Sequence, residues 1–329
     1  MSYTAERETS LQNSIFLTDE IFSYDETPHE QQFHSFYDFC RKNLDINSQV
    51  YSLNPNIFVY LNNFSVNAKA GIKNDYYVIG INSGLMIWGI QNLLMNEELN
   101  NFINNRFPGL LNYFDNSLDV LSFQLATQFT YYHELAHLIQ LNNGEENLFN
   151  ERIEFGCDYN VNKHWLELNA DTFSAIAIAS HIQQYLFNQI ADDLDSEKAN
   201  DCVIVFGTCL FSYIMSFASS SENIYFFDKT HPHPVIRVLN ILMTLIHYLN
   251  QSPKFTDRDI SFSYTQIIDS ILNLHQSLEE ENIVNDGVYQ NLIESLARVP
   301  EIITYLQYFR ELNPEQYNDA IEEWNKNIT

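Results

Sequence analysis

The residues best suited to chemistry in this sequence are two histidines and a small group of carboxylates. The chain contains His133-Glu-Leu-Ala-His137, and Glu167 and Asp171 follow further along. Residues four apart lie on one face of a helix, so His133 and His137 can direct ring nitrogens to one metal ion with Glu134 beside it. This pattern is typical of catalytic zinc sites, in which three protein ligands leave the fourth position to water.

Glu167 is the predicted third ligand, and Asp171 lies one helical turn later on the same face. From that position Asp171 is predicted to accept the remaining ring N–H of a ligating histidine. A simpler interpretation stays open for both acids, because negative charge near the start of a helix is favourable without any metal.

Two apolar helices are predicted to position these residues. The first runs from Leu118 past the second histidine to a stop at Asn142-Asn143-Gly144, and the second runs from Trp165 to Leu186. Ionisable side chains inside such helices need partners, because an unpaired buried ion is strongly destabilising. A metal ion would supply those partners. The alternative is an amphipathic helix whose histidines are solvated or hydrogen-bonded.

The order of the motifs resembles that of the gluzincin metallopeptidases. HELAH and ELNAD are followed by His231-Pro-His-Pro-Val-Ile-Arg237, which is similar to the His-Pro and Arg element of the CAAX prenyl proteases and their bacterial heat-shock relatives. Upstream, the segment from Tyr76 to Gly84 resembles the strand and turn that lead into their active-site helix. The resemblance covers roughly residues 76 to 245, and it also fits the phage-exclusion Lit peptidases, which are soluble bacterial proteins.

The residue chemistry and the resemblance together imply a role for each group. We expect His133, His137 and Glu167 to bind Zn²⁺, which would activate a water molecule and polarise the scissile carbonyl. Glu134 is the expected general base, which takes the proton of the water and later delivers it to the leaving amine. The expected function is therefore zinc-dependent hydrolysis of protein or peptide bonds.

His231, Arg237 or both are expected to stabilise the oxyanion of the tetrahedral intermediate. A structural alternative stays open for this pair. The proline-flanked segment around His231 can simply be a rigid turn, and Arg237 can be the partner of an acid such as Asp171 or Asp228.

The expected fold class is α+β and mainly α. Three β-type segments, 57–61, 65–70 and 76–81, predict a small antiparallel sheet beside the active-site helix. The resemblance implies a zincin-like catalytic core, and the pattern after Pro253 predicts additional C-terminal helices. The expected organisation is an N-terminal helical extension, a metallopeptidase core and a C-terminal helical region packed on the core, at residues 1–50, 51–250 and 251–329.

The composition of the chain argues against some classes of binding partner and predicts the cellular location of the protein. The 329 residues are 45% hydrophobic, which suffices for a substantial core, and they carry a net charge of −27. Because no cluster of Lys and Arg can neutralise phosphates, we expect no nucleic-acid partner, and anionic membrane surfaces are disfavoured for the same reason. The four cysteines form no CxxC pair and the N-terminus is charged, so free thiols and a cytoplasmic location are expected.

One uncharged segment, residues 202–218, bears on whether the chain enters a membrane. It is shorter than the roughly 20 apolar residues of a typical spanning helix, and no Lys or Arg cluster flanks it. A buried core helix is favoured, and a membrane-associated protease is the alternative function.

A third functional interpretation is a non-catalytic zinc-containing protein, a regulatory or binding module on a peptidase fold. Glu134 argues against it, because a structural zinc site needs no general base. The similarity to the Lit peptidases adds the expectation of a regulatory protein partner besides the protein or peptide substrate.

Overall fold

The structure, a computed structural model, describes most of the chain, namely residues 2–142, 160–190, 193–217, 223–284 and 297–312. Within these residues the fold is mainly helical with one three-stranded sheet, which confirms the α+β expectation at this level. The described residues form two compact units, one with residues 2–90 and 130–142, the other with residues 91–129 and most of 160–311.

The helices are α1 (Tyr3–Gln12), α2 (Glu30–Val50), α3 (Ser83–Gly89), α4 (Glu97–Arg106), α5 (Leu118–Leu141), α6 (Val161–Gln189), α7 (Ser196–Met215), α8 (Pro234–Gln251), α9 (Pro253–Thr256), α10 (Tyr264–Glu280) and α11 (Val299–Glu311). A π-helical turn (Ile90–Leu94) and a 3₁₀ turn (Leu110–Tyr113) lie on either side of α4. Both predicted long helices are present, and helices follow Pro253 as expected. The HELAH motif lies in the C-terminal half of α5, which begins in the second unit and ends in the first.

The sheet belongs to the first unit and is mixed. Its strands are β1 (Asn56–Leu61), β2 (Ala68–Lys73) and β3 (Tyr76–Asn82), and they lie in the order β1, β3, β2. β2 pairs antiparallel with β3, whereas β1 pairs parallel with β3. The predicted all-antiparallel sheet is therefore wrong for β1.

The strand order explains why β1 pairs parallel with β3. The two residues between β2 and β3, Asn74 and Asp75, have φ of 49° and 65°, and these left-handed values favour a tight antiparallel hairpin. β1 runs opposite to β2, as successive strands commonly do. Because β1 lies on the far side of β3 rather than beside β2, its partner has the same direction as itself.

Helix α1 covers the outer edge of β1 through a buried carboxylate. The Glu6 side chain has 0% exposure and accepts the backbone N–H of Phe58 at 2.7 Å. It also accepts hydrogen bonds from the Tyr37 hydroxyl at 2.6 Å and from Arg41 Nη1 at 2.7 Å, both on α2. The carboxylate thus accepts one of the N–H groups along this strand edge, and its own charge is paired.

The end of α5 is attached to β3 within the first unit. The Tyr77 hydroxyl donates to the side-chain oxygen of Asn142, and the Asn142 amide donates to the Tyr51 carbonyl at 3.0 Å. Asn142 follows the last residue of α5, as the predicted stop requires. These bonds fix the C-terminal end of the helix that carries both histidines.

The second unit is a group of packed helices. α6 packs on α8, α7 packs on α8 and α10, and α11 contacts α6 and α8. The uncharged segment of α7 from Cys202 to Met215 is largely buried, which agrees with a core helix. Among the described residues, no helix is long and apolar enough to cross a bilayer.

The cysteines that the structure describes agree with the expected free thiols. Cys40, Cys202 and Cys209 are buried and free. Cys157 lies outside the described residues.

Gly84, at the start of α3, provides a test of the packing beside the sheet. A Cβ at Gly84 would come within 2.1 Å of the Phe64 carbonyl oxygen, and the Gly84 N–H donates to the Asn63 carbonyl at 2.9 Å. The backbone at Phe64 can move aside only at a large energetic cost. Gly84→Ala should therefore lower the free energy of unfolding by about 3 kcal/mol in urea titrations.

Gly80→Ala is the matched control for this prediction. Its Cβ would meet the end of the Leu61 side chain at 2.8 Å, which can rotate away, so the expected loss is about 1 kcal/mol. Equal losses for the two variants would show that the loop at Phe64 does not constrain α3.

Candidate metal centre

Helix α5 places the two predicted histidine ligands on one buried face. His133, Glu134 and His137 are all buried. The Nε2 atoms of the two histidines lie 3.1 Å apart, with the ring planes at 89° to each other. Two nitrogens that share a tetrahedral zinc at about 2.05 Å lie about 3.3 Å apart. The histidine pair therefore has the separation that a single ion requires.

Gln140 determines the tautomer of His137. Its Oε1 atom lies 2.8 Å from His137 Nδ1, and an amide oxygen can only accept a hydrogen bond, so Nδ1 carries the proton. The lone pair is then on Nε2, which is the form in which a neutral imidazole binds a metal. Sequence reasoning missed Gln140, although its position three residues after His137 on a helix was a usable signal.

His133, His137 and Glu167 form a group of side chains that can hold a metal ion. One ligand atom each from His133, His137 and Glu167 lies within 4.8 Å of the others. Two imidazoles and one carboxylate form a donor set that suits zinc, and the three residues are those that the motif predicted.

Arg237 on α8 binds both predicted acids of α6. Its Nε donates to Asp171 Oδ2 at 2.8 Å and its Nη2 donates to Asp171 Oδ1 at 2.7 Å. Its Nη1 lies 3.5 Å from Glu167 Oε2. The Asp171 side chain has 0% exposure, so the bidentate pair neutralises a fully buried charge.

These contacts bear on two predicted roles. Arg237 pairs with Asp171, as the structural alternative for Arg237 predicts. Two of its donor groups, Nε and Nη2, donate to that carboxylate. Both oxygens of Asp171 accept from Arg237, and the hydrogen bond from a ligating histidine to Asp171 stays a prediction. The guanidinium also lies beside Glu167, where it orients the carboxylate of the predicted third ligand.

His231 is the most exposed of the predicted site residues. Its Nε2 lies 3.6 Å from Glu167 Oε1, and its side chain is 51% exposed. Its Nδ1 lies 2.9 Å from the hydroxyl of Thr230. His231 therefore contacts the predicted ligand on one side and solvent on the other.

The segment that carries His231 is anchored by His164, one turn before Glu167. The buried His164 donates from Nε2 to the Lys229 carbonyl at 2.7 Å, and its Nδ1 accepts from the Tyr305 hydroxyl on α11. Burial lowers the pKa of His164, so the ring stays neutral in this arrangement. Nothing in the sequence distinguishes His164 from the other histidines, because its partners are distant along the chain.

Comparisons with protein-family models, with curated proteins and with solved structures find no match to this chain. The resemblance to gluzincin peptidases therefore rests on the motifs in the sequence.

The pair of Asp171 and Arg237 should be strongly coupled. Arg237→Ala leaves a fully buried carboxylate without its main partner, and Asp171→Ala removes the carboxylate from the guanidinium. Each variant should lose about 3 to 5 kcal/mol of unfolding free energy in urea titrations. The double variant Asp171→Leu with Arg237→Met should recover most of that loss, because an apolar pair needs no charge compensation.

Asp38→Ala is the control, since it removes an exposed carboxylate that faces only an exposed histidine, and it should change stability little. If the double variant Asp171→Ala with Arg237→Ala lost the sum of the two single losses in unfolding free energy, the coupling would be contradicted.

Proposed function

We propose that this protein is a zinc-dependent endopeptidase of the gluzincin type. The observation that supports the proposal is the grouping of His133, His137 and Glu167 within 4.8 Å, with the buried Glu134 adjacent to the first ligand. Bound zinc would lower the pKa of its water and polarise the scissile carbonyl. The proposed substrate is a protein or peptide in the cytoplasm, and the net charge of −27 argues against a nucleic-acid substrate.

The roles of the protein groups follow from their surroundings. Glu134 lies in a buried environment, and it accepts the proton of the attacking water and passes it to the leaving amine. His231, which is partly exposed and close to Glu167, donates to the developing oxyanion. Because Arg237 is engaged by Asp171, we assign it to positioning Glu167 rather than to the oxyanion.

The first prediction from this proposal concerns metal content. Purified protein should hold about one zinc per chain, and His133→Ala, His137→Ala and Glu167→Ala should each lose it, since three protein ligands are the minimum for such a site. Gln140→Leu should weaken zinc binding by about 10- to 100-fold, because it removes the acceptor that sets the His137 tautomer. Elemental analysis and chelator competition measure both effects.

His34→Ala is the control for the zinc measurement, since its side chain is largely exposed and belongs to α2. This variant should retain the metal. Full zinc occupancy in Glu167→Ala would show that the third ligand is a different residue.

The second prediction separates an enzyme from a zinc-containing binding module. Glu134→Gln is nearly isosteric and removes no ligand, so zinc content and melting temperature should be unchanged. Proteolysis should fall by about 10²- to 10⁴-fold, because an amide cannot take the proton of the water. Casein digestion in vitro and N-terminal proteomics of cells expressing either form measure the loss.

Glu8→Gln, an exposed change of the same kind on α1, should keep full activity. Wild-type rates in Glu134→Gln would exclude the mechanism. A zinc-loaded wild type that cleaves nothing would instead favour the regulatory or binding protein.

A further inference from the structure

The second unit contains a cavity of about 260 Å³ that includes none of the predicted site residues. Side chains of α5 and α6 form most of its lining, and Phe206 of α7 adds an aromatic ring. Ligand pockets for drug-sized molecules begin at about 300 Å³. The size of this cavity therefore suits a molecule of one or two rings.

Two aromatic rings of the lining, Tyr185 and Phe206, are held in place by their neighbours. The Tyr185 hydroxyl donates to Asp115 Oδ1 at 2.7 Å, and its ring meets Phe114 edge to face with centroids 5.6 Å apart. Phe114 in turn stacks on Phe206, with centroids 5.4 Å apart and planes at 21°. The aromatic part of the lining is thus fixed before any ligand binds.

Four carboxamides also line the cavity, two from each helix. Gln124 and Gln128 lie four residues apart on α5. Gln184 and Asn188 have the same spacing on α6, so each pair lies on one face of its helix. The amides of Gln124, Gln128 and Asn188 make no hydrogen bond to any other described residue. A carboxamide has a donor beside an acceptor, so it pairs with a ligand edge of the same kind.

The lining carries no fixed charge. Among the described residues that form it there is no Asp, Glu, Lys or Arg, although the chain contains 43 acidic residues. Burial lowers the pKa of His181, the histidine of the lining, so its imidazole is neutral near pH 7. A charged ligand would lose water here without gaining a counter-charge. The cavity therefore favours a neutral ligand.

We propose that this cavity binds a neutral planar heterocycle with a carboxamide or lactam edge, the chemistry that nucleobases and nicotinamide share. The fixed rings offer a surface for stacking, and the carboxamides pair with the donor and acceptor at the edge of the ligand. Phosphorylated forms are disfavoured, because the net charge of −27 repels them and the lining offers no cation. This site goes beyond the proposed peptidase function and does not depend on it.

Calorimetric titration of the full chain with uracil, adenine and nicotinamide tests the proposal. At least one of the three should bind saturably, with one site per chain, and comparison of the three affinities identifies the source of the shared chemistry. The same compound with its edge nitrogens methylated should bind about 10-fold more weakly or worse, because it cannot donate to a carboxamide oxygen. The corresponding nucleoside or nucleotide monophosphate should also bind more weakly than the neutral compound.

Two variants locate the bound compound. Gln128→Leu and Gln124→Leu each remove a donor and an acceptor at nearly constant volume, so each should weaken binding by about 10-fold. The melting temperature of both should stay at or above the wild-type value. Gln266→Leu is the matched control, because Gln266 is an exposed glutamine of α10 outside the cavity, and its affinity should be unchanged.

Three results would overturn the proposal. The first is that none of the three compounds binds at millimolar concentration. The second is equal affinity for the methylated compound or tighter binding of the phosphorylated one. The third is wild-type affinity in both Gln128→Leu and Gln124→Leu, which would place the compound elsewhere on the protein. These measurements use neither zinc nor proteolysis as a readout, so they succeed or fail separately from the peptidase function.

Discussion

The bidentate pair of Arg237 and Asp171 determines how the two acids of α6, Glu167 and Asp171, are arranged at the candidate site. A carboxylate with no exposure is tolerable only with a partner that matches its charge and shape, and the guanidinium supplies both. The pair constrains how α6 packs against α8, because a shift of either helix would leave one of the two charges without its partner. The same guanidinium reaches Glu167 at 3.5 Å, so the orientation of the predicted third ligand depends on a residue that does not bind metal.

Local periodicity accounts for the parts of the structure that could be predicted from the sequence. The four-residue spacing of His133 and His137 places them on one face of any helix, and the apolar runs of α5, α6 and α7 indicate helices irrespective of their neighbours. The position of β1 could not be predicted in this way, because its composition suits either edge of the sheet and the pairing is decided by contacts distant in sequence.

The roles of individual charged and polar side chains were harder to predict from the sequence than the positions of helices and strands. Arg237 could be either an oxyanion donor or the partner of an acid, and only the distances to Asp171 distinguish the two arrangements. His164 belongs to no motif, since what makes it relevant is the set of groups around it. Glu6 looks in the sequence like one of several solvated acids near the N-terminus, yet it is the most completely buried carboxylate among the described residues of the first unit.

The burial of Glu6 also bears on the order in which the chain is made. Its hydrogen-bond partners lie 31, 35 and 52 residues further along the sequence. An emerging N-terminal segment has none of them, and a lone carboxylate gains nothing from leaving water. We therefore expect α1 to remain undocked on the ribosome until both α2 and β1 have left the exit tunnel.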